Sequence, residues 1–265
     1  MTSPESASTA GARLAGRVAV VTGAARGIGR AIAIEIAREG GAVAVVAGTD
    51  AAGAAETAAA ALAHGVPVRT YLADVTDRAG TEALMARVIA DFGGLDILVN
   101  NAGLGRQAPL LELAEEDWEA VFRVNTKGAF LAGVAAARHM KSAGRGAIVN
   151  IAGASAHRSY PGAGAYGPAK AAVVSLTRQM ALEWADYGIR VNGVSPGPIR
   201  EPDTGWEERE PALATEVARL PLKRAGSPTE VARAVTYLAS DDAAYMTGQM
   251  LIVDGGGVET WYLSL

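Results

Sequence analysis

A tyrosine and a lysine stand four residues apart in the segment Ala165-Tyr-Gly-Pro-Ala-Lys-Ala171. On a helix, positions i and i+4 share a face, with Cβ atoms roughly 6 Å apart. A lysine ammonium so placed is expected to lower the pKa of a phenol from its ordinary value of about 10. Tyr166 could then donate or accept a proton near neutral pH. Taken alone, Tyr166 reads equally as an amphipathic core residue and Lys170 as a solvated helix lysine. What stands elsewhere in the chain decides between the readings.

Far upstream, Thr22-Gly-Ala-Ala-Arg-Gly-Ile-Gly29 follows an apolar run and opens a helical pattern. Glycines there permit a tight turn and let backbone N–H groups approach a pyrophosphate at a helix N-terminus. The spacing G-x-x-x-G-x-G differs from the G-x-G-x-x-G dinucleotide fingerprint, so an ordinary strand-to-helix turn is the competing reading. Three more segments support a ligand groove: Asp74-Val75, Asn100-Asn-Ala-Gly103 and Ser195-Pro-Gly-Pro198 each follow a short apolar run. In a doubly wound sheet such strand ends line one crevice. An acid at the end of the second strand would suit NAD, and a basic residue the 2′-phosphate of NADP. That strand ends Val46-Ala-Gly-Thr-Asp50, with Ala47 where the acid is expected and Asp50 three residues late. Arg26 and Thr49 could meet a phosphate, so NADP(H) is favoured over NAD(H).

These groups need a scaffold. From Arg17 onward, short apolar runs alternate with longer helical stretches. Strands are expected at Val18–Val21, Val43–Val46, Val68–Leu72, Leu95–Val99, Ala147–Ile151, Ile189–Val194 and Met250–Val253. Helices are expected over Arg30–Glu39, Ala51–Ala63, Arg78–Phe92, part of Glu115–Lys141, Tyr166 to about Tyr187, Ala212–Arg219 and Thr229–Ala239. Pro168 would fit best in the first turn of its helix, where its missing N–H costs nothing. The alternation and the apolar strands argue an α/β fold, a doubly wound parallel sheet covered by helices on both faces. Composition shows no break, so residues 14–265 read as one domain after a small, polar tail over 1–13 expected to be disordered.

The bulk numbers exclude several function classes. The 265 residues carry a formal net charge of −4 with no basic block, which argues against nucleic acid as partner. There are no cysteines, so disulfides and thiolate chemistry are excluded. Neither His64 nor His139 has metal-ligand spacing to a partner, so chemistry without a metal is expected. No apolar run is long enough to span a bilayer and no secretory signal opens the chain, so the expected location is the cytoplasm.

In order and approximate spacing, the glycine turn, Asn100-Asn-Ala-Gly103, Asn125, Tyr166-x-x-x-Lys170 and Pro196-Gly197 resemble the classical short-chain dehydrogenase/reductase family, from about Leu14 to Gly257. The resemblance implies a Rossmann-type three-layer fold and hydride exchange between a nicotinamide and an alcohol or carbonyl carbon. It implies that Tyr166 is the acid/base and that Lys170 lowers its pKa and binds the nicotinamide ribose. Asn125 would hold a water that relays protons to Lys170. Gly23, Arg26, Gly27, Ile28, Gly29 and Thr49 would hold the adenosine and phosphate end of the cofactor, with Asp74 and Val75 at the adenine. Asn101, Ala102 and Gly103 would lie along it, and Pro196, Gly197 and Ile199 would flank the nicotinamide. A homotetramer or dimer built through the long helices is also implied.

Two departures qualify the resemblance. The family's serine lies thirteen positions before the tyrosine, where this chain has Gly153. Ser155 is the nearest hydroxyl, and it reads either as a catalytic substitute or as a loop serine bonded to local backbone. A threonine that often bonds the carboxamide is Glu201 here, with Thr204 the nearest substitute. His157 and Arg158 read as exposed loop residues that could touch substrate. Residues 201–225 read as a lid with Glu207-Glu-Arg-Glu210 as a solvated face. Trp206 and the tail Trp261-Tyr-Leu-Ser-Leu265 are expected to close a pocket or pack at a subunit contact. The leading expectation is an NAD(P)(H)-dependent oxidoreductase acting on a secondary alcohol, a ketone or a related C=N bond of a small molecule. The alternative is a catalytically weak cofactor-binding protein serving as oligomer partner or sensor, with Gly153 and Glu201 as its support.

Overall fold

In the computed structural model, which describes residues 12–260, seven apolar runs pair side by side as parallel strands. They are β1 (Val18–Thr22), β2 (Ala42–Ala47), β3 (Val68–Leu72), β4 (Ile97–Asn100), β5 (Gly146–Ile151), β6 (Ile189–Pro196) and β7 (Met250–Val253). Their order across the sheet is β3-β2-β1-β4-β5-β6-β7. Strand order reverses between β1 and β4, and their adjacent carboxyl ends open the crevice where doubly wound folds bind ligands.

Every residue of β1 is buried, as expected of a strand covered on both faces. Alternate side chains feed two cores. Ala19 and Val21 join Ile32 and Ile36 of α1 (Gly27–Arg38), Ala54 and Ala58 of α2 (Ala51–Leu62), and Val231 and Val235 of the last helix on one face. Val18 and Val20 join Leu84 and Val88 of α3 (Arg78–Phe92), with Ala136 and Met140 from the long helix before β5, on the other. Each fully buried valine or isoleucine contributes about 1.5–3 kcal/mol relative to exposure. The expectation of apolar strands fails at β3, where Arg69, Thr70 and Leu72 are exposed. It is the sheet's edge, so water replaces one covering layer.

Polar residues mark the helix starts. Asp50 caps α2 through Gly53 N at 2.9 Å, and Asp77 caps α3 through Ala79 N and Gly80 N. The expected long helix is divided: α4 (Glu115–Phe122) runs through one π-helical turn, Arg123–Lys127, into α5 (Gly128–Ala143). Next, α6 (Tyr166–Trp184) begins at the tyrosine itself, which puts Pro168 in its first turn. Two short helices follow β6, α7 (Trp206–Arg209) and α8 (Pro211–Val217), and α9 (Pro228–Ala239) opens with a Ser227–Glu230 capping box. No helix among the described residues is long and apolar enough to cross a membrane.

Candidate active site

The glycine turn is built by close approach. Gly23 has φ +64°, and a Cβ there would lie 2.8 Å from Ala102 Cα. A Cβ on Gly29 would collide with the Gly23 carbonyl oxygen and Asn101 Nδ2. Two strand ends are therefore pressed together, and Thr22 stitches them. Its Oγ1 accepts from Asn101 N at 3.0 Å and Ala102 N at 3.1 Å, while donating to Val99 O. Asn101 Nδ2 donates back to Thr22 O and Gly23 O. Thr22 is a site residue that sequence reasoning passed over, although it stands first in the motif.

Beyond the turn, α1 starts with no side chain capping its N-terminus, and Arg26 and Gly27 are exposed there. Uncapped N–H groups at a helix start suit a phosphate. Arg26 makes no ion pair among the described residues. At the end of β2, Gly48, Thr49 and Asp50 are exposed, and one carboxylate oxygen of Asp50 caps the following helix. Asp74 is engaged locally too, accepting from Thr76 N at 2.8 Å, and Val75 packs where a Cβ on Gly128 would stand. These residues fit a dinucleotide: a glycine-lined approach and an uncapped helix start.

At the other end, Asn125, Lys170 and Tyr166 converge. The π-helical turn carries Asn125 inward, where it is buried; Nδ2 donates to Leu104 O at 2.7 Å and Val121 O at 2.9 Å. Its Oδ1 is buried and unpartnered. A Cβ on Gly103 would lie 2.9 Å from that oxygen and 3.5 Å from Lys170 Nζ, so this glycine keeps the space between them open. Lys170 is buried and donates to Ile151 O at 2.9 Å. Below it, Asn100 Nδ2 donates to Asn150 Oδ1, and Asn150 Nδ2 to Thr177 Oγ1, bracing β4, β5 and α6.

The electrostatics correct one expectation. Burial lowers the Lys170 ammonium to about 8. Burial also raises the Tyr166 phenol above its ordinary value, with Tyr160 adding to the shift. Lysine does not bring the phenol down, because its ammonium is turned to the Ile151 carbonyl and is itself disfavoured in the low-dielectric interior. Lys170 Nζ stands 5.5 Å from the Tyr166 ring centroid.

Gly153 has extended backbone, φ 177°, that any residue could adopt. A Cβ there would lie 3.3 Å from Ser155 Oγ and 3.7 Å from Tyr166 Oη. The Ser155 hydroxyl therefore borders the volume the family's serine side chain would use. It is buried and has no hydrogen-bond partner. Nearby, His157 Nε2 bonds the buried Ser195 Oγ at 2.8 Å, and Arg158 Nη1 donates to Gly257 O at 2.8 Å. Both do more than an exposed loop residue needs to.

After β6, Gly197 N donates to Val253 O, and Ile199 forms a parallel bridge with Gly226. Glu201 is exposed, and Thr204 spends its hydroxyl on the Glu201 carbonyl. Trp206 is buried within its own chain, which removes it from a subunit contact. The Arg200 guanidinium stands 5.9 Å from its ring and pairs with Glu210. The remaining tail, 261–265, lies outside the described residues.

Comparison with known proteins agrees with this geometry. Residues 23–257 match a family model described as enoyl-(acyl carrier protein) reductase. The chain is 45% identical over 249 residues to cis-4-hydroxycyclohexanecarboxylate dehydrogenase of Sinomonas cyclohexanicum, covering 93% of this chain and 98% of that one. A gluconate 5-dehydrogenase from Burkholderia cenocepacia, in complex with NADP and tartrate, superposes with a TM-score of 0.87 at 36% identity, covering 94% and 97%. An NAD+-bound xylitol dehydrogenase superposes with a TM-score of 0.86 at 33% identity, covering 92% and 99%. With a tyrosine, a lysine and an asparagine gathered beside the crevice of a doubly wound sheet, and with relatives that are oxidoreductases, the chain belongs to the classical short-chain dehydrogenase/reductase family and is an NAD(P)-dependent oxidoreductase of alcohols and ketones.

Proposed function

We propose that this enzyme is an NADP(H)-preferring dehydrogenase/reductase that works with a relocated serine, Ser155, in place of the one missing at Gly153. The observation that carries the reading is the buried, unpartnered Ser155 Oγ beside the open Gly153 position, which Tyr166 Oη also borders. A buried hydroxyl without a partner costs roughly 1–3 kcal/mol. A substrate oxygen in that volume recovers the loss by accepting a hydrogen bond from it.

The cofactor, when bound, supplies the hydride that exchanges with the substrate carbon. The other work falls to the chain. Burial keeps the Tyr166 phenol protonated, so it stands ready to give its proton to the substrate oxygen during reduction. Ser155 donates to the same oxygen as negative charge develops there. Lys170 and the free Oδ1 of Asn125 face the open space beside Gly103, which suits a water that restores the tyrosine proton. In the oxidative direction the same groups act in reverse, and the high phenol pKa makes that direction favour alkaline solution.

Gly23, Gly27, Ile28 and Gly29 hold the pyrophosphate through backbone N–H groups. Arg26 and Thr49 receive the 2′-phosphate; the support is the exposed guanidinium and the commitment of Asp50 to its cap. Asp74 and Val75 flank the adenine. Asn101, Ala102 and Gly103 line the middle of the groove, and Pro196, Gly197 and Ile199 flank the nicotinamide. Residues 201–225 cover the substrate, anchored by buried Trp206. Half-exposed Trp118 and Phe130 on α4 and α5 support assembly of copies through these helices as a dimer or tetramer. The cytoplasm is the location that suits a chain without cysteine.

The substrate is a small secondary alcohol or its ketone, or a related C=N compound. A cyclic hydroxy acid is the first compound to try, given the dehydrogenase of cis-4-hydroxycyclohexanecarboxylate among the relatives. The test is cofactor-dependent turnover over that compound, gluconate, β-keto esters and cyclic imines. Tyr166→Phe is expected to lower kcat about a thousandfold on whichever compound reacts fastest. Equal rates for wild type and Tyr166→Phe would remove the tyrosine from the chemistry.

A further inference from the structure

We propose that His157 is the positioning residue for the Ser155 hydroxyl, tying the turn that carries it to the strand end that flanks the nicotinamide. The inference rests on the reading of Ser155 given above.

The family's serine position lies two residues past the end of β5. Its neighbour Ala152 N is still bonded to Val194 O at 2.8 Å, so that position inherits the order of the sheet. Ser155 does not. It sits in a single 3-10 turn, Ala154–Ala156, whose backbone bonds are all local: Ala156 N to Gly153 O, and His157 N and Arg158 N to Ala154 O. One such turn is a weak element on its own. Among the described residues, hydrogen bonds from the 153–159 segment to distant parts of the chain come from two side chains. His157 Nε2 bonds Ser195 Oγ, and Arg158 bonds Gly257 and Thr260 in the C-terminal segment.

The two tethers are not equivalent. Ser195 is fully buried in β6, paired with Ile252 of β7 and immediately before Pro196-Gly197. Its hydroxyl is therefore fixed by the sheet. The segment that Arg158 grips is irregular backbone after β7. His157 thus transmits the order of β6 to the turn, and the same strand end sets the nicotinamide side of the site. A hydroxyl moved two residues out from the sheet regains a fixed place relative to the cofactor through this bond. Misplacement of a reacting partner by about 1 Å can cost a hundredfold in rate, so a tether of this kind governs catalysis without touching substrate.

The experiment compares single-turnover hydride transfer with saturating NADPH, using the fastest compound of the panel above. The proteins are wild type, Ser155→Ala, His157→Leu, His157→Gln and the double variant Ser155→Ala/His157→Leu. His157 is exposed, and melting temperature with NADPH affinity checks that each variant folds and binds cofactor. His157→Leu is expected to slow transfer about tenfold with unchanged NADPH affinity, since the donor is displaced but present. Glutamine can reach with an amide where Nε2 stood, so His157→Gln is expected to recover most of the rate. The double variant is expected to be no slower than Ser155→Ala alone, because both changes remove one function. Multiplying effects in the double variant, or an unaffected rate in His157→Leu while Ser155→Ala is slow, would overturn the role of His157 and leave Ser155 standing. An unaffected rate in Ser155→Ala would sink the Ser155 reading, and this inference with it.

Discussion

At the glycine turn, Thr22 Oγ1 takes two backbone N–H donors from the end of β4, while at the substrate end the Ser155 turn reaches the distant fold through the side chains of His157 and Arg158. The first arrangement is buried and built largely from backbone groups of adjacent strands. The second packs against α6 and takes its hydrogen bonds to distant parts of the chain from side chains at the surface. The proposed cofactor end is thus braced by groups of adjacent strands, and the proposed substrate end by side chains outside the sheet. Loss of the ordinary serine at Gly153 falls in the second region, where a hydroxyl two residues away can take its place without disturbing the sheet.

The comparison can be broken most severely at Thr22. Thr22→Val keeps the shape but leaves two part-buried N–H groups without their acceptor, a loss of about 3 kcal/mol in stability. Urea unfolding should show it as a lowered midpoint with an unchanged slope. A midpoint like that of wild type would mean the turn is not braced as described.

Lys170 gives the next effect. Its folded-state pKa of about 8 lies below the ordinary value of 10.5, so the unfolded chain binds more protons between those values. Stability should therefore rise with pH across that window and be flat below it. Lys170→Met should abolish the rise and stabilise the enzyme at neutral pH by roughly 3 kcal/mol, while losing activity. A stability that falls between pH 8 and 10.5 in wild type, but not in the variant, would show that the ammonium is favoured by folding.

A smaller effect is expected at the rim of the crevice. Arg26→Ala should weaken NADPH binding about tenfold and leave NADH binding unchanged. Equal losses for both cofactors would place Arg26 on the shared pyrophosphate, and tighter binding of NADH than NADPH by wild type would overturn the proposed preference.

Much of this was legible in the residues. The apolar runs give the strands because the central ones sit between helices, and the one that misleads, β3, lies at an edge that sequence order does not announce. The spacing of Tyr166 and Lys170 gives their shared face, and an asparagine in a helical stretch flags a break, which appears as the π-helical turn around Asn125. What spacing cannot carry is where a side chain spends its polar atoms. Lys170 turns to Ile151 O, so burial decides the phenol's pKa and the expected direction reverses. His157 and Ser195 lie 38 positions apart, and neither belongs to a pattern that would pair them. Asp50 stands three residues late for a ribose ligand, and its bond to Gly53 N makes it the cap of α2, a role its position in the sequence was not read to carry.

The central claim is that the working hydroxyl has moved from position 153 to position 155, and one pair of rate measurements tests it most directly. Ser155→Ala should slow hydride transfer about a hundredfold, the usual cost of one oxyanion donor. Adding Gly153→Ser to that variant should restore the rate. The backbone at 153 accepts a side chain, and the Ser155 Oγ that would crowd its Cβ at 3.3 Å is then gone. If Ser155→Ala is as fast as wild type, or if the second change restores nothing, the hydroxyl has not moved and the substrate oxygen is polarised by some other group.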